Sequence, residues 1–271
     1  MLLVLTVRFT AIFKKILSTN SALVAAGRKD YSLNPAAQQS LEALRKTLEA
    51  NKAVEAEDAI NFVVVMASQW DYADRLAPLD LLRCVAASPL AAKYTSPRGQ
   101  SLVQVAVSAV TNDVPQGAQP NENMAMMALR TIANLFTTAE GAKTAARDAQ
   151  AAVGLVERVI GISGGKPIGQ FNRNLKIALG TAAINYGVLA TRQSSAVPRD
   201  AQVRLLKALA QDLQDQTDGE VMFRETVAAG TLVSVLGKGE AQGLEQATKL
   251  VKDRAGDLRV KEVADELLGL L

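Results

Sequence analysis

Apolar residues recur along most of this chain at three- and four-residue steps, in runs separated by Pro, Gly and Asn. That spacing stacks them on one face of an α-helix, and no run alternates as a half-buried strand would. The clearest case is residues 123–136, NMAMMALRTIANLF, where Met124, Met127, Ala128, Thr131 and Leu135 share a face. The stretch also returns. Ala128-Leu129-Arg130-Thr131 is matched fifty residues on by Ala178-Leu179-Gly180-Thr181, and fifty further on by Ala228-Ala229-Gly230-Thr231. A fixed period of helical segments predicts a helical solenoid, in which each unit buries its apolar face against its neighbours.

The same pattern predicts about a dozen helices. Asn34 and Pro35 open one that runs to 51, since Asn caps and Pro suits the first turn. Others are expected at 54–68, 77–87, 100–111, 122–137, 138–150, 151–162, 171–189, 200–213, 220–236, 240–252 and 259–270. Residues 112–121, NDVPQGAQPN, read as the clearest loop and as the division between a first part (1–111) and the repeated part. Repeat units of armadillo or HEAT type run to roughly 40–47 residues, so the longer period implies extended connections.

Composition narrows the chemistry. Hydrophobic residues make up 49% of the 271 positions and aromatics 4%, a balance that suits close-packed helices. Histidine is absent and Cys84 is the single cysteine. A Ser-His-Asp triad, a Cys-His pair, a His-ligated metal and a thiolate zinc site within one chain are therefore excluded. Net charge is +3, concentrated in residues 1–50, which hold seven Lys/Arg against three Asp/Glu. The rest is close to neutral, so whole-surface nucleic-acid binding is not expected.

Residues 1–18, MLLVLTVRFTAIFKKILS, lack acids and carry Arg8, Lys14 and Lys15. Three readings stand: a first structural helix burying Phe9, Ile12, Phe13, Ile16 and Leu17, a mitochondrial presequence, or a secretory signal. No run reaches the ~18 apolar residues of a membrane span, so no membrane partner is expected.

Other motifs are weak. Gly164-Gly165-Lys166 resembles a phosphate loop, but Pro167 stands where Ser or Thr should bind magnesium. Asp71 and Asp74 form a carboxylate pair beside Trp70 with no metal-ligand cluster near them in sequence. No cofactor is implied. The more informative feature is a strongly polar residue set inside several apolar helices: Arg83 in LDLLRCVAA, Arg130 and Asn134 in the central helix, Asn185 in AAINYGV and Arg224 in VMFRETVAAG. Corresponding helices of a solenoid line one concave surface, where Arg forks and Asn amides can grip an extended peptide and its carboxylates. The alternative is that these residues knit neighbouring repeats together.

Four blocks carry a resemblance: 79–83 (LDLLR), 127–136 (MALRTIANLF), 177–186 (IALGTAAINY), and Phe223-Arg224 leading to Ala229-Gly230-Thr231-Leu232. In this order they resemble the PUL domain, the C-terminal module of phospholipase-A-activating-type ubiquitin adaptors. The resemblance implies an all-α, armadillo-like α-solenoid, a superhelix of about five to six helical repeats, at residues 55–271, with 1–54 as N-terminal helices packing on it. It implies a non-catalytic module that binds the acidic C-terminal tail of the valosin-containing AAA ATPase. Ubiquitin-pathway proteins would be indirect partners, and the location cytoplasmic or nuclear. By block match, Arg83 and Arg224 would pair with tail acids, Asn134 and Asn185 would hold the tail backbone with Arg130 beside them, and Tyr186 would pack on an apolar tail side chain. The upstream WD-repeat propeller and ubiquitin-binding domain of those adaptors are not in this chain, and Gly180 stands where a bulkier residue is usual. Two other readings remain: a structural scaffold for another partner, and a module fused to a cysteine isopeptidase in its parent protein.

Overall fold

The computed structural model describes residues 9–28, 31–163 and 172–271. Among them are fourteen α-helices and no strand: α1 Phe9–Ala25, α2 Pro35–Glu49, α3 Glu57–Gln69, α4 Leu76–Val85, α5 Pro89–Lys93, α6 Leu102–Thr111, α7 Glu122–Leu135, α8 Ala139–Arg147, α9 Ala149–Ser163, α10 Arg173–Arg192, α11 Arg199–Leu213, α12 Gly219–Leu236, α13 Leu244–Arg254 and α14 Leu258–Leu270. The protein is thus all-helical, each helix packed on near neighbours as in a helical-repeat solenoid. Gly164-Gly165-Lys166 lies outside the described residues.

Side-chain caps decide where the helices begin. The Asn34 side chain accepts from the Ala37 amide at 2.8 Å, with Pro35 in the first turn. Ser101 and Gln104 form a reciprocal capping box on α6. Asn121, Asn172 and Asp218 each accept from two amides at the starts of α7, α10 and α12. These three helices carry the sequence repeat. Its threonines act alike, for Thr131, Thr181 and Thr231 each donate to the carbonyl four residues back, at 2.9, 2.7 and 2.7 Å. One difference lies at the expected 240–252 helix: Gly243, at φ +80°, breaks the chain there, and α13 starts at Leu244.

The described residues fall into two compact units, divided after Ala145. In the first, α1 lies on α4, α2 on α3, and α4 on α7. Ile12, Phe13 and Ile16 of α1 are buried, each contributing about 1.5–3 kcal/mol. Leu17, expected on that face, is instead 42% exposed. α4 and α7 are buried on nearly every side, which is why their sequences are apolar all round. The loop 112–121 does not divide the chain. Helices α6 and α7 flank it and pack together. The Tyr72 hydroxyl donates to the Val110 carbonyl at 3.2 Å and accepts from the Asn121 amide at 2.8 Å. The buried Arg75 guanidinium donates to the carbonyls of Trp70 (2.8 Å) and Asn112 (3.2 Å) and to the Asp113 carboxylate (2.5 Å).

In the second unit α12 is central, packed on α10, α11 and α14. It approaches α10 through small residues. A Cβ at Gly180 would lie 2.8 Å from the Arg224 Cβ, and one at Gly187 would lie 3.1 Å from the Thr231 Cβ. Gly180 is therefore a requirement of this packing.

Candidate functional site

In the first unit, α4 and α7 bring Arg83, Arg130 and Asn134 together. Arg83 is 2% exposed, and its Nε donates to the Asp80 carboxylate one turn earlier at 2.5 Å. Asn134 is fully buried, and its amide donates to the Arg83 carbonyl at 2.8 Å. That carbonyl belongs to the last turn of α4, where no backbone amide of the helix remains to satisfy it. Asn134 is thus a clasp between two helices.

Arg130 differs from both. It is half-buried, and its Nε has no hydrogen-bond partner among the described residues. Burial and then the Arg83 charge lower its pKa from the ordinary guanidinium value, with Asp80 opposing. Arginine stays charged even so. Asp80 thus lies near both guanidiniums, and the Arg130 Nε remains a buried donor without a partner among the described residues.

In the second unit, Asn185 and Tyr186 are buried within α10. Burial, then the Asp148 charge, raise the Tyr186 phenol above its ordinary pKa. Asn134, Asn185 and Tyr186 present almost no surface, so the expected direct grip of the two amides on a peptide backbone, and of Tyr186 on a tail side chain, is not available in this form. Arg224 does reach the surface, with its side chain 24% exposed. Its Nε donates to Glu220 at 2.7 Å and its Nη1 to the Thr181 hydroxyl at 2.8 Å. Its stem lies over Gly180, so the small residue noted in sequence is what lets Arg224 lie flat on α10.

Arg259 completes this surface and carried no signal in sequence beyond an ordinary basic residue at a helix start. It stands over the Phe223 ring at 5.2 Å, donates to Asp257 at 2.7 Å, and approaches the second Glu220 oxygen at 3.9 Å. Sequence reasoning also missed the buried cluster beneath it. Lys176 of α10 pairs with Asp212 of α11, while both Glu225 oxygens of α12 and the other Asp212 oxygen have no hydrogen-bond partner among the described residues. Burial first, then Asp212, push the Glu225 carboxyl well above its ordinary pKa, with Lys176 opposing. A proton held on Glu225 turns the facing carboxyls from a repulsion into a hydrogen bond.

The candidate chemistry elsewhere is occupied. Asp71 is ion-paired with Arg28, which also stacks over Tyr31. Cys84 is buried at the edge of a pocket of about 400 Å³ lined by Phe9, Leu48, Val54 and Pro89, and donates to the Asp80 carbonyl at 3.3 Å. Burial pushes its thiol up to about 12, and the chain has no histidine to activate it. The remaining candidates are cationic: half-buried Arg130 in one unit, and the ion-paired Arg224 and Arg259 in the other. The family model for the PUL domain matches residues 1–266, with the four sequence blocks and the clasped helices inside that span. A match over nearly all of the 271 residues settles the family, and the chain belongs to the PUL domain family.

Proposed function

We propose that this PUL domain is an adaptor module without catalytic activity that binds the acidic C-terminal tail of the valosin-containing AAA ATPase in ubiquitin-dependent protein turnover, in the cytoplasm or nucleus. The observation that carries the reading is Arg130, a half-buried guanidinium whose Nε has no hydrogen-bond partner among the described residues. A ligand carboxylate or carbonyl would satisfy that donor, and charge-assisted bonds in a partly desolvated site are the strong kind. Arg224 supplies a second cation able to exchange an internal carboxylate for an external one. Arg83, Asn134 and Asn185 act from beneath, by fixing the helices that carry Arg130 and Arg224. Tyr186 belongs to the same framework.

An isolated tail peptide is expected to bind near the micromolar range, about −8 kcal/mol. Removing Arg224 should cost about 1.5–3 kcal/mol of that, the scale of a charged hydrogen bond. Calorimetry of the Arg224→Ala chain with a peptide of the tail's last ten residues reads it directly. Unaltered affinity in a folded variant would sink the reading. The scaffold reading has one observation in its favour. Leu17 and Val24, seven residues apart on α1, are 42% and 47% exposed. If this face is the interface, Leu17→Lys abolishes partner capture and leaves tail binding intact.

A further inference from the structure

The Glu220 carboxylate sits between two guanidiniums from different helices. Its Oε1 accepts from Arg224 Nε at 2.7 Å, and its Oε2 lies 3.9 Å from Arg259 Nη2. We propose that Glu220 is a built-in stand-in for a ligand carboxylate, and that Arg224, Arg259 and the Phe223 ring form a subsite for one acidic side chain or chain terminus, which must displace Glu220 to bind. This rests on the acidic-tail reading and adds a determinant to it.

As it stands, the surface holds two guanidiniums against two carboxylates, Glu220 and Asp257, and so offers an anion no net attraction. Glu220 belongs to the first turn of α12, where the helix terminus favours a negative charge, and Asp218 already caps that terminus. Glu220 is therefore not needed as a cap. Its side chain is 27% exposed, with three torsions to swing on, so it can leave without disturbing the core. Arg224 cannot follow it, because the Thr181 bond and the contact with Gly180 hold the stem to α10. Arg259 is held by Asp257 and by the Phe223 ring. The cations are fixed and the carboxylate is mobile, which is the arrangement for exchanging one carboxylate for another. The exchange discriminates by charge. A neutral peptide has no group to take the place of Glu220, whereas an acidic one can exchange with it.

The test is calorimetric titration of the full chain with a synthetic peptide of the ATPase tail's last ten residues, at two salt concentrations. Glu220→Gln should tighten binding on the order of fivefold, the scale of a partly exposed ion pair, and steepen the salt dependence. Glu245→Gln, the same charge change on α13, should move affinity much less. Adding Arg259→Gln to Glu220→Gln should cancel the gain. Glu220→Gln binding no tighter than Glu245→Gln, or keeping its gain without Arg259, would overturn the stand-in role while leaving the tail reading in place. Tail affinity unaffected by Arg224→Ala would overturn both.

Discussion

Two helix pairs in this protein solve the same problem in opposite ways. α4 with α7 and α10 with α12 each bury long apolar faces and each carry arginines. In the first pair the polar groups inside are matched: Arg83 with Asp80, and the Asn134 amide with the end of α4. The unmatched group, Arg130 Nε, is at the half-buried margin. In the second pair the margin is matched, with Arg224 held by Glu220 and Thr181, and the unmatched groups among the described residues lie inside, on Glu225 and Thr226 of α12 and on Asp212 of the neighbouring α11. A buried mismatch is a stability problem solved by a proton. A marginal mismatch costs less and leaves room for a ligand. The two pairs should therefore answer substitution differently, stability dominating in the second and binding in the first.

The largest effect is expected at Lys176. It is 1% exposed and is the cation paired with Asp212. Lys176→Met leaves two facing carboxyls without it and should cost about 3–5 kcal/mol at pH 7, measured by chemical denaturation. The sign with pH follows from Glu225. Its folded-state pKa lies well above the ordinary 4.5, so its contribution is complete below that value and fades as pH rises through the folded-state value. Lys176→Met should thus be better tolerated at pH 5 than at pH 7, and Glu225→Gln should flatten the dependence above pH 5. A loss within the range of an exposed pair, about 0–1 kcal/mol, would show that the cluster is not sealed.

Next comes the contact between α10 and α12. Gly180→Ala places a methyl 2.8 Å from the Arg224 Cβ, where no flexible chain end can yield. Overpacking of this kind should cost about 1–3 kcal/mol, against a helix-propensity gain of about 1 kcal/mol. Gly154→Ala in α9 meets nothing closer than Arg204 Nη2 at 4.0 Å, so it should show the propensity gain alone. Melting temperatures moving apart in these two variants would confirm that the glycine at 180 serves packing. Temperatures moving together would refute it.

The third effect belongs to the first pair. Asn134→Ala removes the donor to the Arg83 carbonyl inside a fully buried contact, and should cost about 1–3 kcal/mol by thermal denaturation. A neutral result would mean that α4 and α7 hold together by apolar packing alone.

These expectations also mark what the sequence makes legible. Helix positions, the Asn34 and Pro35 start, and the period of Thr131, Thr181 and Thr231 depend on neighbours within a turn or on fixed spacing, and both are written in the chain. Which polar residues become interior depends on the helix packed opposite. Asn134 shares an apolar run with Arg130 and Asn185 sits in the matching run of α10, and periodicity alone places all three on the same terms. The structure buries the amides and leaves the guanidinium at the margin. Glu225 follows Arg224 in VMFRETVAAG and reads as part of one solvated edge, yet the hundred-degree turn between successive residues sends it inward against Asp212. Arg75 reads as an ordinary loop cation because its partners at Asn112 and Asp113 lie beyond three helices, α4, α5 and α6, in the chain.

The smallest stability effect, and the sharpest contrast, is expected at Arg130. Arg130→Met keeps much of the aliphatic stem's packing while removing a charge set against Arg83 and a buried donor with no partner. Stability should therefore change by less than about 0.5 kcal/mol, or rise. If the acidic-tail reading holds, affinity for the tail peptide should fall by about 1.5–3 kcal/mol in the same protein. The dissociation matters because each half has a different rival. A large loss of stability would mean the guanidinium is held by the fold and is not waiting for a ligand. Unchanged stability with unchanged affinity would mean its unmet donor is met by solvent. Loss of binding without loss of folding is the outcome that a half-buried cation with no internal task produces and a structural one does not.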